Sequence, residues 1–331
     1  MQFFTQYLSP SVVEISGLVF LGYVFVYKPA RLLLGWLSNN CCSGCKSSRI
    51  LKAAPNDWAV VTGSTDGIGL EYARQLAAKG FNLLLLSRTD EKLQNVALEI
   101  GGKYPQLKIE YLAVDFTHTD IYENIKKKIN SLDGQLYILV NNVGILHPIP
   151  ELFADYPEGF NMKQINANVV SSTQMTDIAL KKMLSQKPSV DEKRPKGVIV
   201  FISSSAGLIE IPTFSVYGAT KAYINYLGKV VAAEYASKDI IVQTVTPNQV
   251  VTKMSKELHE ASIAVSAESF VSYSLKAVGS ESMTNGHPKH KFINTTLMAI
   301  TGWFSEKFVM RKMLESMLKK SQEIKEKNKV N

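Results

Sequence analysis

The sequence predicts an α/β fold, a doubly wound parallel sheet with helices on both faces. Three observations predict it. From Asp57 onward, apolar runs alternate with amphipathic stretches. The runs are near-continuously apolar, as in Asn82-Leu-Leu-Leu-Leu-Ser87, which suits strands buried on both faces. The first run, Trp58-Ala-Val-Val-Thr62, passes directly into a glycine-rich turn, Gly63-Ser-Thr-Asp-Gly-Ile-Gly69. Buried strands that alternate with helices assemble into parallel sheets joined by helical crossovers.

The elements follow in order. Residues 1–27 carry one charge, Glu14, and Ile15 to Tyr27 is an uncharged run. A bilayer span needs about 20 residues, so the run must extend back toward Leu8 to cross. No basic residue precedes it and no small-residue cleavage site follows, so a secretory signal is not expected. Lys28, Arg31, Lys46, Arg49 and Lys52 come next, which puts the remaining chain on the cytosolic side. An interfacial anchor continuing through Pro29 to Leu37 is the alternative. Residues 1–37 are thus expected to be a membrane anchor and 38–56 a juxtamembrane linker. Strands are expected near 58–62, 82–87, 108–114, 136–140, 197–202 and 240–246, with helices near 67–79, 90–101, 118–131, 158–184 and 216–236. Gln186 to Lys196 is charged, contains proline and reads as a surface loop. The α/β domain spans 57–255, residues 256–318 read as a substrate-covering, membrane-proximal helical extension, and 319–331 as a basic tail. Within the extension, Asn294-Thr-Thr296 matches a glycosylation acceptor that a cytosolic domain would not use. Lys327 and Lys329 stand where endoplasmic reticulum membrane proteins carry a dilysine retrieval signal.

Composition narrows the function classes. The 331 residues are 46% hydrophobic, enough for a substantial core. The formal net charge is +8, and the tail's five Lys and two Glu account for +3 of it. No basic stripe is interleaved with aromatics, so nucleic acid is not an expected partner. An anionic lipid surface is. The three cysteines, Cys41, Cys42 and Cys45, all precede the α/β domain, which fits a reducing, cytosol-facing location. They have no His or fourth Cys beside them, so no metal site is expected, while acylation is allowed.

The glycine turn is the first functional candidate. Gly63, Gly67 and Gly69 let the backbone approach a dinucleotide's pyrophosphate, and Ser64, Thr65, Asp66 and Ile68 complete the loop at a helix start, where free N–H groups favour phosphate. The second strand ends Leu86-Ser87-Arg88, without the acid that would bind a ribose 2′-hydroxyl. Arg88 instead suits a 2′-phosphate, so NADP(H) is the expected cofactor. Asp115 closes the third strand and could accept from an adenine amino group, and Asn142 follows the fourth.

Tyr217 and Lys221 carry the chemistry. Tyr-x-x-x-Lys also occurs at Tyr104/Lys108 and Tyr122/Lys126, but only Tyr217 has a serine, Ser204, thirteen residues upstream at the end of an apolar run. A phenol with an ordinary pKa near 10 is a poor proton donor at neutral pH. An ammonium one helical turn away is expected to lower that pKa, and Ser204 to hold a carbonyl oxygen.

Together these residues resemble the short-chain dehydrogenases/reductases, whose fold is Rossmann-like, over about residues 57–255. The resemblance implies that Tyr217 is the acid, Lys221 its modulator and Ser204 the orienting hydroxyl. It also implies an asparagine on the long helix after the fourth strand that holds a proton-relay water. Asn166 and Asn168 both qualify, and Thr176, eight residues on, selects Asn168. Trp58-Ala-Val-Val-Thr-Gly, Thr65-Asp-Gly-Ile-Gly, Leu86-Ser-Arg-Thr, Leu139-Val-Asn-Asn-Val-Gly144 and Thr284-Asn-Gly…His290 narrow the likeness. They resemble the membrane-bound 17β-hydroxysteroid dehydrogenases of types 3 and 12 and the very-long-chain 3-oxoacyl-CoA reductases. One departure is Pro247-Asn248, where the broad family has Pro-Gly near the nicotinamide.

The expected function is NADPH-dependent reduction of a ketone on a hydrophobic substrate. A steroid comes first, and a very-long-chain 3-oxoacyl-CoA of fatty-acid elongation is the alternative. A non-catalytic NADP-binding membrane protein is the reading of another class, disfavoured because Asn168, Ser204, Tyr217 and Lys221 are all present. The expected setting is the endoplasmic reticulum membrane with the catalytic domain facing the cytosol, and a homodimer is compatible with it.

Overall fold

A computed structural model describes residues 19, 22–27, 46–186, 194–255, 263–301 and 304–330. Its centre is a seven-stranded parallel sheet. In chain order the elements are β1 (Asp57–Thr62), α1 (Gly67–Ala78), β2 (Asn82–Ser87), α2 (Asp90–Lys103), β3 (Ile109–Ala113), α3 (Tyr122–Asn130) and β4 (Gln135–Asn141). Next come α4 (Phe160–Ile165), α5 (Ser171–Ser185), β5 (Gly197–Ile202), α6 (Ser215–Tyr235), β6 (Ile240–Val245), β7 (Val250–Val251) and β8 (Val265–Ser266). Helix α7 (Ala267–Lys276), β9 (Met283–Thr284), α8 (Pro288–Thr301) and α9 (Glu306–Val330) complete the chain. The sheet order β3-β2-β1-β4-β5-β6-β9 reverses direction between β1 and β4. That reversal opens a crevice at the carboxyl ends of the strands, where ligands of open α/β sheets bind.

Strand alternation sorts the core into two layers. Ala59, Val61, Leu83 and Leu85 pack with Tyr72, Leu76 and Leu93 on one face, while Val60, Leu84, Leu139 and Phe201 pack with Ile125, Met175 and Ile224 on the other. Both layers are predominantly apolar, as the near-continuous strand runs require.

All six expected strands form, and the structure adds a seventh. Met283–Thr284 pairs with Thr244 and Val245, and α7 buries Phe270, Val271 and Leu275 in the core. Residues 267–284 therefore complete the α/β unit, although they lie beyond the expected boundary at 255. A two-residue strand has too little pattern to be seen in sequence. The basic tail likewise belongs to α9, which buries Ser321 and Ile324 and pairs Lys325 with Glu151 at 2.9 Å. The long helix expected over 158–184 is interrupted by a π-turn at Asn166–Val170. The expected anchor falls almost wholly outside the described residues, as do Cys41, Cys42 and Cys45. Among the described residues no helix is long and apolar enough to cross a membrane. The end of the expected linker packs on the domain, burying Ile50 and Leu51.

The stretch expected as a surface loop is tied down at both ends. The Gln186 side chain accepts from Leu136 N (2.7 Å) and donates to Leu136 O (3.1 Å). Buried Arg194 pairs with buried Asp57 and stacks 3.6 Å over the Tyr137 ring. Removing one partner of a buried pair strands the other charge. Arg194→Ala should therefore cost about 3–5 kcal/mol in chemical denaturation, and Asp57→Asn in the same chain should recover part of that loss. An Arg194→Ala protein as stable as the parent would contradict this.

Candidate active site

The crevice holds a cleft of about 500 Å³ that reaches from the glycine turn to Tyr217. Its floor is the turn between β1 and α1. Gly67 has a φ of +52°, and a Cβ there would lie 2.7 Å from the Thr252 methyl. At Gly69 an added Cβ would lie 2.2 Å from Gly63 O, so the turn closes only around a bare backbone. The Asn142 side chain fastens the turn, donating to Thr62 O (2.9 Å) and Gly63 O (3.1 Å). Thr62 Oγ1 in turn accepts from Asn142 N and Val143 N. Asp66 caps the first turn of α1 by position only, since its carboxylate pairs with Lys253. Ser64 is buried against Leu86 O, whereas Thr65 bonds the Ser87 hydroxyl at 2.9 Å on the cleft wall.

Arg88 stands exposed on the rim, and Asp115 faces it from β3's end. Burial pushes the Asp115 carboxyl up, but bonds from Thr117 N and Oγ1 and the nearby Arg88 and His118 charges outweigh it and hold the pKa below the usual range. Lys92 lines the same rim, four residues after Arg88, and sequence reasoning missed it. Its signal was that spacing, one turn into the helix that follows the strand. Lys253 was missed too, because nothing in its local pattern places it opposite Asp66.

At the other end, β5 runs through Ile202 into Ser203 and Ser204. Lys221 is 5% exposed, and its Nζ donates to Ile202 O at 2.9 Å. Ser203 Oγ donates to Lys221 O at the same distance. These two bonds fix α6 against the strand end and set Tyr217 beside Ser204 in the cleft, where Ser204 draws the phenol's pKa down. Ser204 Oγ also accepts from Ala206 N (3.1 Å), leaving its proton free to be donated. The alternative Tyr-x-x-x-Lys pairs lie elsewhere, Tyr104 at the end of α2 and Tyr122/Lys126 on α3.

One expectation is corrected. Lys221 was expected to make the phenol more acidic. Instead burial raises the Tyr217 pKa, partly offset by Ser204, and burial lowers Lys221 to about 8. The ammonium is 5.7 Å from the ring centroid and spends a hydrogen bond on a backbone carbonyl, so desolvation outweighs its pull on the phenol.

The π-turn separates the two asparagines. Asn166 donates to Thr117 O, toward α3. Asn168 is buried behind the cleft wall, where its Oδ1 accepts from Ile145 N (2.8 Å) and its Nδ2 donates to Thr220 Oγ1 (3.0 Å). Both Asn168 Oδ1 and Lys221 Nζ border Gly144. Asn168 is thus the asparagine beside Lys221, while Thr176 bonds Asn141 rather than either candidate. Asn248 lines the cleft and reaches away from it, donating to Asn294 Oδ1 on α8 at 2.9 Å. Asn294 is 2% exposed, so the acceptor-like triplet there is closed to modification in the folded chain.

The bare-backbone cradle and the two cations on its rim fit a phosphate-bearing dinucleotide, with Tyr217 and Lys221 at the far end of the same cleft. Comparisons agree. The short chain dehydrogenase family matches residues 57–262. The very-long-chain 3-oxoacyl-CoA reductase of Homo sapiens is 39% identical over 256 residues, covering 77% of this chain and 78% of that one. The Danio rerio reductase-A is 40% identical over 248 residues, covering 74% and 72%. Among solved structures, a 7β-hydroxysteroid dehydrogenase shares the fold at a TM-score of 0.67 and 23% identity, covering 78% of this chain and 96% of its own. A Sphingobium yanoikuyae short-chain dehydrogenase in complex with NADPH does so at 0.61 and 20%, covering 76% and 97%. The protein is a nicotinamide-dependent oxidoreductase acting on CH–OH groups, and it belongs to the short-chain dehydrogenase family.

Proposed function

We propose that the protein reduces the 3-oxo group of a long-chain acyl-CoA, with NADPH as reductant. The observation that carries the reaction is that Ser204, Tyr217 and Lys221 line one end of the cleft whose other end is the glycine turn. The substrate class is supported by relatives named very-long-chain 3-oxoacyl-CoA reductase, matched over about three quarters of both chains. That support favours the acyl-CoA over the steroid that the sequence pattern placed first. The hydroxysteroid dehydrogenase among the structural neighbours, at 23% identity, shares the fold alone.

When bound, the reduced nicotinamide supplies the hydride. The chain's own residues handle the oxygen. Ser204 and Tyr217 both donate to the substrate carbonyl, holding it where negative charge develops. Burial keeps Tyr217 protonated at neutral pH, the form that can give its proton to the alkoxide. Lys221, with a pKa of about 8, sits close enough to neutrality to hold or release a proton behind the phenol. Asn168 steadies the wall at Ile145 beside them. Arg88 and Lys92, with the Thr65 and Ser87 hydroxyls, would take the 2′-phosphate, and the absence of an acid after β2 supports NADP(H) over NAD(H). The proposal sets the N-terminal apolar run in the endoplasmic reticulum membrane with the cleft in the cytosol, supported by the basic residues after the run.

Purified protein should oxidise NADPH with 3-oxoacyl-CoA at a higher kcat/KM than with any steroid ketone. Tyr217→Phe should lower kcat by about 10²–10⁴-fold while NADPH binding persists. A preference for steroids would overturn the substrate, and an active Tyr217→Phe the mechanism.

Arg88→Asp should weaken NADPH binding about tenfold or more while changing NADH much less. Equal losses for both would contradict the cofactor reading.

Lys221 also makes stability depend on pH. With its folded pKa near 8 and an unfolded value of 10.5, the native state binds fewer protons between those limits, so its stability rises with pH there. Below that window a buried ammonium destabilises the fold. Lys221→Met should therefore lose ground in Tm relative to the parent as pH climbs from 8 toward 10.5. Parallel Tm profiles would contradict this.

A further inference from the structure

The chain enters α6 through a turn that its own sequence disfavours. Phe214 N donates to Ile211 O at 3.1 Å, closing a four-residue turn with Pro212 second and Thr213 third. Thr213 has a φ of +73°. A proline followed by a positive φ marks a type II turn, whose third place ordinarily takes glycine or asparagine. A β-branched residue there is strained. The threonine side chain does not offset the strain, since Thr213 is buried and its Oγ1 has no hydrogen-bond partner among the described residues. Yet the turn shapes the site. Ile211 and Phe214 line the cleft, and the Phe214 ring lies edge-on to that of Tyr217 with centroids 6.3 Å apart.

What holds Thr213 in this form comes from the chain after β4. The Tyr156 hydroxyl donates to Thr213 O. Burial raises the Tyr156 pKa, so the phenol remains a donor at neutral pH. Its ring stacks on Phe160 at 5.9 Å, and the His147 ring packs edge-on against both, at 5.2 and 5.1 Å. His147 directly follows Leu146, which lines the cleft. One aromatic cluster, standing behind the lining residues, thus ties Leu146 to the turn that carries Phe214.

We propose that Tyr156 is a positioning residue for the acid: by holding the Thr213 carbonyl it keeps the turn left-handed, which seats Phe214 against Tyr217. Without that bond Thr213 relaxes toward negative φ, Phe214 leaves the Tyr217 ring, and only a fraction of molecules keeps the phenol aimed for proton transfer. This role rests on Tyr217 as the proton donor, whichever ketone is reduced.

The test compares four full-length proteins: the parent, Tyr156→Phe, Thr213→Gly and the double variant. Phenylalanine keeps the ring stack and removes only the hydroxyl. Glycine takes a positive φ without strain, so the turn no longer needs the bond. Two quantities are read, the kinetics with NADPH and a 3-oxoacyl-CoA, and the ring ¹H–¹³Cε NMR signal of Tyr217 in the cofactor-free protein, assigned with Tyr217→Phe. In the parent, Tyr156→Phe should lower kcat about three- to tenfold with KM for NADPH unchanged. It should also shift the Tyr217 signal, because the ring current of Phe214 acts on it. In the Thr213→Gly background the same substitution should change kcat less than about twofold and leave the Tyr217 signal in place. Equal losses in both backgrounds would overturn the proposal. So would an unchanged kcat or an unmoved signal in Tyr156→Phe with only Tm lowered, the result of a merely structural tyrosine. A parent that reduces no 3-oxoacyl-CoA would refute the substrate reading instead, and the Tyr217 signal would then decide the role of Tyr156.

Discussion

Burial of the Lys221 ammonium at the end of β5 is the constraint on which the site depends. Two hydrogen bonds, Lys221 Nζ to Ile202 O and Ser203 Oγ to Lys221 O, splice α6 onto the strand. Ser204 is the next residue along and Tyr217 lies one helical turn before Lys221, so the splice brings the two hydroxyls together. A charged amine is costly to hold where water is scarce, and here the only compensation among the described bonds is a backbone carbonyl. The pKa of the amine falls in consequence, to about 8. A stability cost at neutral pH thus places a proton-exchanging group behind the phenol. Local strain against stability is the ordinary condition of a functional site.

The other end of the cleft is built by an opposite device, the removal of side chains. The turn after β1 closes because Gly69 lets Gly63 O approach and because Asn142 reaches across from β4 to bond two of its carbonyls. Both ends hang from the carboxyl edge of one sheet, with β1 and β4 adjacent and β5 next to β4. The sheet therefore fixes the distance between the phosphate cradle and the phenol.

Much of this was legible in the sequence. Strands buried on both faces have a pattern too apolar to mistake, so β1, β2, β4, β5 and β6 could be located from Asn82-Leu-Leu-Leu-Leu-Ser87 and its counterparts, while β3, the half-buried edge strand, was located by its place in the alternation. Ser204, Tyr217 and Lys221 were singled out by residue type and spacing, and the structure brings all three into one cleft. What could not be read is what depends on the third dimension. Strand β9 is two residues long and exists because β6 offers an unpaired edge. Lys92 and Lys253 gain meaning only from the cleft they line. The direction of the Tyr217 shift was misjudged because sequence gives the neighbour but not the dielectric. At this site desolvation exceeds the pull of the neighbour. The anchor expected over residues 1–37 lies almost entirely beyond the described residues.

The most direct measurement is a pH titration of the Lys221 side chain by NMR on ¹³Cε-labelled lysine, in the cofactor-free protein, with Lys221→Met to assign the signal. If burial against Ile202 O governs the site, the Lys221 signal titrates near 8, well below the ordinary 10.5. A Lys221 signal that titrates near the ordinary 10.5 would mean that the amine is solvated and not spliced onto the strand. The Ser204–Tyr217 geometry would then need an origin other than the buried amine.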